Sequence, residues 1–225
     1  MWKRLLTTYM LAILVCFGCN ENPVSPHNGI GPILFVSTRD AKRQIYAMNK
    51  DGSNITRITR SDFSNFNPRW SPDGQYLLVD NWKGTSISAP TRLVVHIDLI
   101  NLIDSTRTEL TESPPQLTSS GRFSPDGQWI VYVHKDSSNT AIRNIYIMNR
   151  DGSGKRNVTN SDTLSALNPA WSPDGSKILF INWEGLDQSG VPKYNIYSIN
   201  IDGTGLIPLT EESDQVEAAG LDWKW

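Results

Sequence analysis

Six aspartates in two recurring motifs are the first candidates for chemistry in this sequence of 225 residues. The motifs are Ser-Pro-Asp-Gly and Asp-Gly followed by Ser or Thr, and they contain Asp73, Asp126, Asp174, Asp51, Asp151 and Asp202. Regularly spaced carboxylates can bind calcium, yet no stretch has the alternating oxygen ligands and distal Glu of a calcium loop. Asp-Gly between strands is typical of a tight turn, because Gly reaches positive φ and Asp hydrogen-bonds its own backbone. The motifs therefore predict turns, and we expect neither a metal nor a cofactor.

Nucleophiles and general bases are sparse in this sequence. The hydrolase motif Gly-x-Ser-x-Gly is absent, and both cysteines lie within the first 19 residues. The histidines His27, His96 and His134 are far apart, and only His134 falls where a loop is expected to begin. No His, Cys and Asp cluster has metal-ligand spacing. The sequence therefore predicts a protein that is not an enzyme, with a lyase or hydrolase as the least favoured alternative.

Large aromatic residues recur at long, regular intervals. Trp70, Phe123, Trp171 and Trp223 are separated by 53, 48 and 52 residues. Such rings could stack on a ligand, but an aromatic at the same place in each repeat is more typical of a wedge buried between sheets. A period near 50 residues, with four short apolar runs in each period, is typical of a β-propeller.

The apolar runs between the turn motifs predict sixteen strands and no helix of useful length. We expect an all-β protein, a β-propeller of four four-stranded blades. Its first strand, Ile33–Ser37, would pair with the last one around Trp223, so that the N- and C-terminal strands close the ring and hide the sheet edges. Pairing of two chains into an eight-bladed ring is the alternative.

Three segments match a known repeat closely. They are Ile45–Gly52 (IYAMNKDG), Ile145–Gly152 (IYIMNRDG) and Ile196–Gly203 (IYSINIDG), and the last two follow a Ser-Pro-Asp-Gly turn and an apolar run. Together they resemble the WD-like repeats of the TolB propeller family, whereas His96–Thr106 departs from the pattern. The resemblance implies a propeller of the bacterial cell envelope. Proteins of that family have more blades and an additional N-terminal domain, so their role is not transferred directly.

The N-terminus indicates export. Basic Lys3 and Arg4 precede an apolar run, Leu5–Phe17, that is too short to span a bilayer. The following Cys19 ends a segment that resembles a lipoprotein lipobox, and the resemblance implies that Cys19 carries the lipid. We therefore expect a signal peptide over residues 1–18, a tether over 19–32 and a propeller domain over 33–225. The expected location is the bacterial envelope, on a periplasmic or outer-membrane surface.

The charge balance excludes one class of partner. The chain has 21 basic and 23 acidic residues, and removal of residues 1–18 leaves 19 and 23, a net charge of −4. This mildly acidic surface has no basic stripe for phosphates, so nucleic acid is not an expected partner.

Candidate binding residues lie in the connections that leave the face opposite the Asp-Gly turns. This face is predicted to carry the longer connections, including 39–44 and 182–194, and variable loops on a rigid scaffold commonly bind ligands. The candidates are Asp62, Phe63, Trp82, Lys83, His134, Asp162, Trp183, Glu184 and Asp214. We expect a lipid-anchored scaffold, monomeric or dimeric, that binds an envelope protein or peptide there. The alternatives are a carbohydrate-binding lipoprotein that stacks sugars on Trp82 and Trp183, or a structural role in which both rings cover sheet ends.

Overall fold

A computed structural model describes residues 29–83, 95–111, 117–135, 142–211, 216 and 221–223. The regular elements of these residues are fifteen β-strands. In chain order they are β1 (Ile33–Asp40), β2 (Lys42–Met48), β3 (Thr56–Arg57), β4 (Ser64–Trp70), β5 (Tyr76–Trp82), β6 (Val95–Asn101), β7 (Arg107–Glu109), β8 (Leu117–Phe123), β9 (Trp129–Lys135), β10 (Asn144–Asn149), β11 (Arg156–Asn157), β12 (Ala166–Trp171), β13 (Lys177–Leu186), β14 (Pro192–Asn200) and β15 (Ile207–Pro208). The prediction of an all-β chain is confirmed.

The strands form four successive antiparallel meanders, here called units 1 to 4. Unit 1 contains β1–β3, unit 2 contains β4–β7, unit 3 contains β8–β11 and unit 4 contains β12–β15. Units 2 and 3 are joined into one sheet by a single parallel pairing between Val95 and Leu117. Units 2, 3 and 4 therefore reproduce the four-strand order expected of a propeller blade, and unit 1 contains three described strands of the same meander.

The Ser-Pro-Asp-Gly motifs form the turns between the first and second strands of units 2, 3 and 4. In unit 4, Asp174 Oδ1 accepts hydrogen bonds from the Ser172 hydroxyl at 2.6 Å and from the Ser176 amide at 3.0 Å. These bonds favour the carboxylate and lower the pKa of Asp174 to about 2. Gly175 follows with φ +70°, a conformation that glycine adopts without strain. The carboxylate of Asp174 thus accepts hydrogen bonds within its own turn and stabilises it.

Three buried clusters join neighbouring units. One contains Val133 and Ile147 of unit 3 together with Trp171 and Phe180 of unit 4. Equivalent clusters join unit 2 to unit 3 around Phe123, and unit 1 to unit 2 around Leu77. The core therefore lies between the sheets, where apolar side chains of each unit meet those of the neighbouring unit.

Three of the four repeated aromatics, Trp70, Phe123 and Trp171, have the wedge position predicted for them, whereas Trp223 belongs to none of the three clusters. Trp171 is 4% exposed, and its indole nitrogen donates to the Arg122 carbonyl of unit 3 at 3.1 Å. Trp70 is half-buried and donates in the same way to the Pro32 carbonyl at 3.0 Å. Each ring thus closes a gap between sheets and satisfies its polar atom against the preceding segment.

A buried carboxylate joins units 2 and 3. Asp80 is 1% exposed and accepts hydrogen bonds from the Asn67 side chain at 2.8 Å and from the Ser120 amide at 3.0 Å. Asn67 and Ser120 both have positive φ and lie at bulges of β4 and β8. Burial raises the pKa of Asp80 to about 7, although these donors and the charge of Arg69 oppose that shift.

The chain ends differ from the predicted arrangement. Among the described residues unit 1 has three strands, and residues 221–223 form no strand and do not pair with Ile33–Ser37. Asp222 lies 3.6 Å from Arg122, which places this segment beside the first strand of unit 3. Closure of the ring through the terminal strands, and with it the count of four complete blades, is therefore not confirmed.

Candidate functional site

The two faces of the molecule carry different connections. The Ser-Pro-Asp-Gly and Asp-Gly turns lie on one face, and the connections that lead into β2, β4, β6, β8, β10, β12 and β14 lie on the other, here called the long-loop face. Two connections on that face are shorter than predicted. The one expected over 39–44 is a tight turn around Ala41, with φ +68°, because β1 extends to Asp40. The one expected over 182–194 is a hairpin, because β13 extends to Leu186 and β14 begins at Pro192.

A cavity of about 340 Å³ opens on the long-loop face between units 1, 2 and 3; we call it the basic cavity. Strand ends from all three units form it. Its lining residues are Arg43, Phe66, Asn67, Trp82, Val95, Leu117, Ser119, Val133, Lys135 and Arg143. Its walls are therefore largely apolar and aromatic, with polar groups at a few points, which is the usual composition of a ligand pocket.

The polar groups of the basic cavity are mainly hydrogen-bond donors. Arg43, Lys135 and Arg143 are cationic, and no acidic side chain is among the described residues that line the cavity. Partial burial and then the charge of Arg143 lower the pKa of Lys135. The indole nitrogen of Trp82 is buried and makes no hydrogen bond to any described residue. This set of donors is complementary to a carboxylate or another anionic acceptor.

A second cavity, of about 280 Å³, lies beside the first two units; we call it the polar cavity. Its lining residues are Ser61, Phe63, Asn81, Lys83, Asp98, Arg107 and Glu109. Arg107 forms an ion pair with the buried Asp98 at 2.5 Å, and Lys83 pairs with Glu109. The two cavities share no lining residue.

The structure separates the binding residues predicted from the sequence. Trp82 lines the basic cavity, whereas Phe63 and Lys83 line the polar cavity. Asp62 and Asp162 are exposed in the connections that precede β4 and β12. Asp214 and Cys19 lie outside the described residues.

The remaining predicted residues lie on strands and line neither cavity. His134 is half-buried, with its ring centroid 4.8 Å from that of Tyr146. Trp183 is half-buried in β13 opposite Tyr194. The exposed Glu184 accepts a hydrogen bond from the Tyr197 hydroxyl at 3.1 Å. Trp82 and Trp183 therefore do not form one stacking surface around either cavity.

Sequence reasoning missed the three cations of the basic cavity. Arg43, Lys135 and Arg143 lie at the ends of strands but do not recur at equivalent positions in the units. Lys135 takes the place that Trp82 and Trp183 have in units 2 and 4, as the strand pairing shows. The available signal was the position of each cation beside a predicted loop on one face.

No group of three or more His, Cys, Asp or Glu side chains in the described ranges is arranged to hold a metal ion. No helix in those ranges is long and apolar enough to cross a membrane.

Comparison with known proteins adds a consistent set of relatives. A protein named TolB homolog from Chlorobium luteolum is 27% identical over 150 residues, which are 67% of this chain and 31% of the relative. Its counterpart from Chlorobium chlorochromatii is 30% identical over the same coverage. A Tol-Pal system protein TolB from Desulfosudis oleivorans is 45% identical over 51 residues, which are 23% of this chain and 12% of the relative. The chain thus spans about a third of the length of the first two relatives, and no family model matches it.

Solved structures show the same fold. The structure of putative TolB from Agrobacterium tumefaciens matches with a TM-score of 0.60 at 22% identity, covering 79% of this chain and 60% of that one. TolB from Acinetobacter baumannii matches with a TM-score of 0.59 at 22% identity, covering 80% and 41%. The resemblance of the repeats to TolB-like propellers is therefore confirmed in sequence and in fold.

Proposed function

We propose that this TolB-like propeller chain is a non-enzymatic binding scaffold of the bacterial cell envelope, which holds a protein partner on its long-loop face. In this proposal Cys19 carries a lipid, residues 1–18 are removed, and the terminal strands complete a ring of four blades. The relatives named as Tol-Pal system proteins support an envelope location and a protein partner.

The basic cavity is the observation that carries the proposal. It combines three cations, and an indole N–H that has no partner in the described part of the chain, with an apolar wall that includes Phe66 and Leu117. An acidic side chain next to an apolar one would satisfy the donors and bury its neighbour against the wall. The proposed partner segment is therefore acidic and apolar, presented by a loop or an extended peptide.

Other exposed connections of the long-loop face extend the proposed contact surface. Asp62 and Asp162 lie in two of them, and they remain proposed contacts at the edge of the interface. Their negative charge would meet basic residues that flank the acidic segment of the partner. Rim charges mainly set the association rate and the salt dependence of binding, whereas the cavity would set the affinity.

Charge reversal in the cavity tests the proposal. We expect the double substitution Arg43→Glu and Arg143→Glu to reduce partner capture by at least about tenfold, because it places carboxylates opposite the acidic segment. The measurement is quantitative cross-linking capture from native membranes with the lipidated, tagged chain.

The matched control is Lys50→Glu with Lys155→Glu, which makes the same charge change at exposed positions on the Asp-Gly face. Equal capture by the two double variants would contradict the proposed site. Absence of any protein partner, combined with glycan binding that requires Trp82 and Trp183, would replace the proposal with the carbohydrate-binding alternative.

A further inference from the structure

The polar cavity contains two acceptors that lack partners among the described residues. Asp98 is 2% exposed and Asn81 is 3% exposed, and each has one side-chain oxygen, Asp98 Oδ1 and Asn81 Oδ1, that is buried without a hydrogen bond to any residue that the structure describes. The other atoms of both groups are engaged. Asp98 Oδ2 accepts from Arg107 Nε at 2.7 Å and from Asn81 Nδ2 at 2.9 Å. Buried polar atoms are almost always paired, so two adjacent unpaired oxygens point to a ligand or water that donates to them.

The charges around these oxygens favour a neutral ligand. Asp98 and Glu109 are balanced by Arg107 and Lys83, with which they form ion pairs. A cationic ligand would be repelled by Arg107 and Lys83. An anionic ligand would be repelled by Asp98 and Glu109. A neutral hydroxyl group is repelled by neither pair of charges, and it can both donate and accept hydrogen bonds. It can donate to Asp98 Oδ1 or Asn81 Oδ1 and accept from Lys83.

The size of the polar cavity and the residue at its rim narrow the class of ligand further. The volume of about 280 Å³ lies just below the range of about 300–1,000 Å³ that is typical for drug-sized ligands, so one small ring fits. Phe63 is 39% exposed at the rim and presents an aromatic face for the C–H side of such a ring. The backbone carbonyl of Phe63 accepts from Gln44 and Asn65, which fixes the loop while its ring stays accessible.

We infer that the polar cavity binds one neutral pyranose ring, with hydroxyl groups on Asp98 Oδ1 and Asn81 Oδ1 and an apolar face on Phe63. Both oxygens are covered from solvent, so binding requires a small rotation of the surrounding side chains. Lys83 and Glu109, whose side chains are 31% and 35% exposed, have room for it. This site is separate from the basic cavity and does not depend on the protein-binding proposal.

The test is a ¹H–¹⁵N chemical-shift titration of the full propeller domain with methyl glycosides of glucose, galactose, mannose and N-acetylglucosamine. At least one is expected to shift the amide signals of Phe63 and Lys83, with a Kd of about 1–10 mM for so small a ligand. Phe63→Ala should weaken that binding by about tenfold, because the stacking face is lost.

Ile103→Ala is the control for loss of an exposed apolar side chain, since Ile103 is 58% exposed in a turn on the opposite face. It should leave sugar binding unchanged, as should the Arg43→Glu and Arg143→Glu variant. No shift with any of the four sugars at about 50 mM, where a site of this affinity would be largely filled, would leave water as the occupant and overturn the inference. Shifts that survive Phe63→Ala would overturn it as well.

Discussion

Substitution of Trp171 by Ala is expected to lower the free energy of unfolding by about 3–5 kcal/mol. The ring is 4% exposed and belongs to the buried cluster that joins units 3 and 4. Its removal opens a cavity between two sheets and leaves the Arg122 carbonyl without its indole donor. Thermal and chemical denaturation followed by circular dichroism would measure the change, which corresponds to a Tm about 10 °C lower in a domain of this size.

The matched control for this prediction is Trp171→Phe. Phenylalanine occupies the equivalent position in unit 3, at Phe123, so it fills most of the wedge and loses mainly the indole hydrogen bond. A loss of about 1–2 kcal/mol is expected. If Trp171→Ala were no more destabilising than Trp171→Phe, the ring would not be a wedge between sheets.

The stability of the domain is expected to increase as the pH falls from about 7 toward 4, through Asp80. Burial raises the pKa of this carboxyl from 3.8 to about 7 in the folded protein. Between these values the folded state binds a proton that the unfolded state has released, so acidification favours folding and ionisation opposes it. Each pKa unit corresponds to about 1.4 kcal/mol, which gives a contribution of up to about 4 kcal/mol across this range.

A comparison of two variants separates the contribution of Asp80 to the pH dependence of stability from that of other groups. Asp80→Asn removes the titration while keeping an oxygen that can accept from Asn67 and Ser120, so its unfolding free energy should depend less steeply on pH than that of the natural chain. Asp162→Asn, at an exposed position, should leave the slope unchanged. Parallel profiles for Asp80→Asn and the natural chain between pH 4 and 7 would refute the assignment.

The repeating features of the fold could be predicted because the forces behind them are local and recur. Turns such as Ser172–Gly175 depend on side chains that bond their own backbone, and these are visible in four letters of sequence. The wedge position of Trp171 was predictable because the same ring type returns at a fixed interval. Periodicity thus predicted the strands and the inter-sheet core.

Features that occur in only one unit could not be predicted from the periodicity of the sequence. Asp80 takes a position where units 3 and 4 have Val133 and Ile181, so its apolar surroundings and its donors from another unit appear only when the strands are aligned in space. The missing pairing near Trp223 depends on where the last segment packs, and no short pattern encodes that.

The candidate site combines residues that are distant in sequence. Arg43 and Arg143 are one hundred residues apart and come together only through the arrangement of units 1 to 3. The sequence did indicate the face on which the basic cavity opens, because loops and strand ends alternate regularly in a meander. It could not indicate that Trp82 and Phe63 would open into different cavities, since that depends on side-chain direction along two paired strands.

The most direct test of the central claim is a map of where the partner contacts the propeller. A photoreactive amino acid would replace Asp62 or Asp162, exposed on the long-loop face, or Gln128 or Lys155, exposed on the Asp-Gly face. Irradiation of intact cells followed by mass spectrometry would identify any cross-linked protein. The account predicts one envelope protein cross-linked from Asp62 and Asp162 and none from Gln128 and Lys155. Cross-linking from the Asp-Gly face alone, or from neither face, would contradict a protein-binding role for the long-loop face.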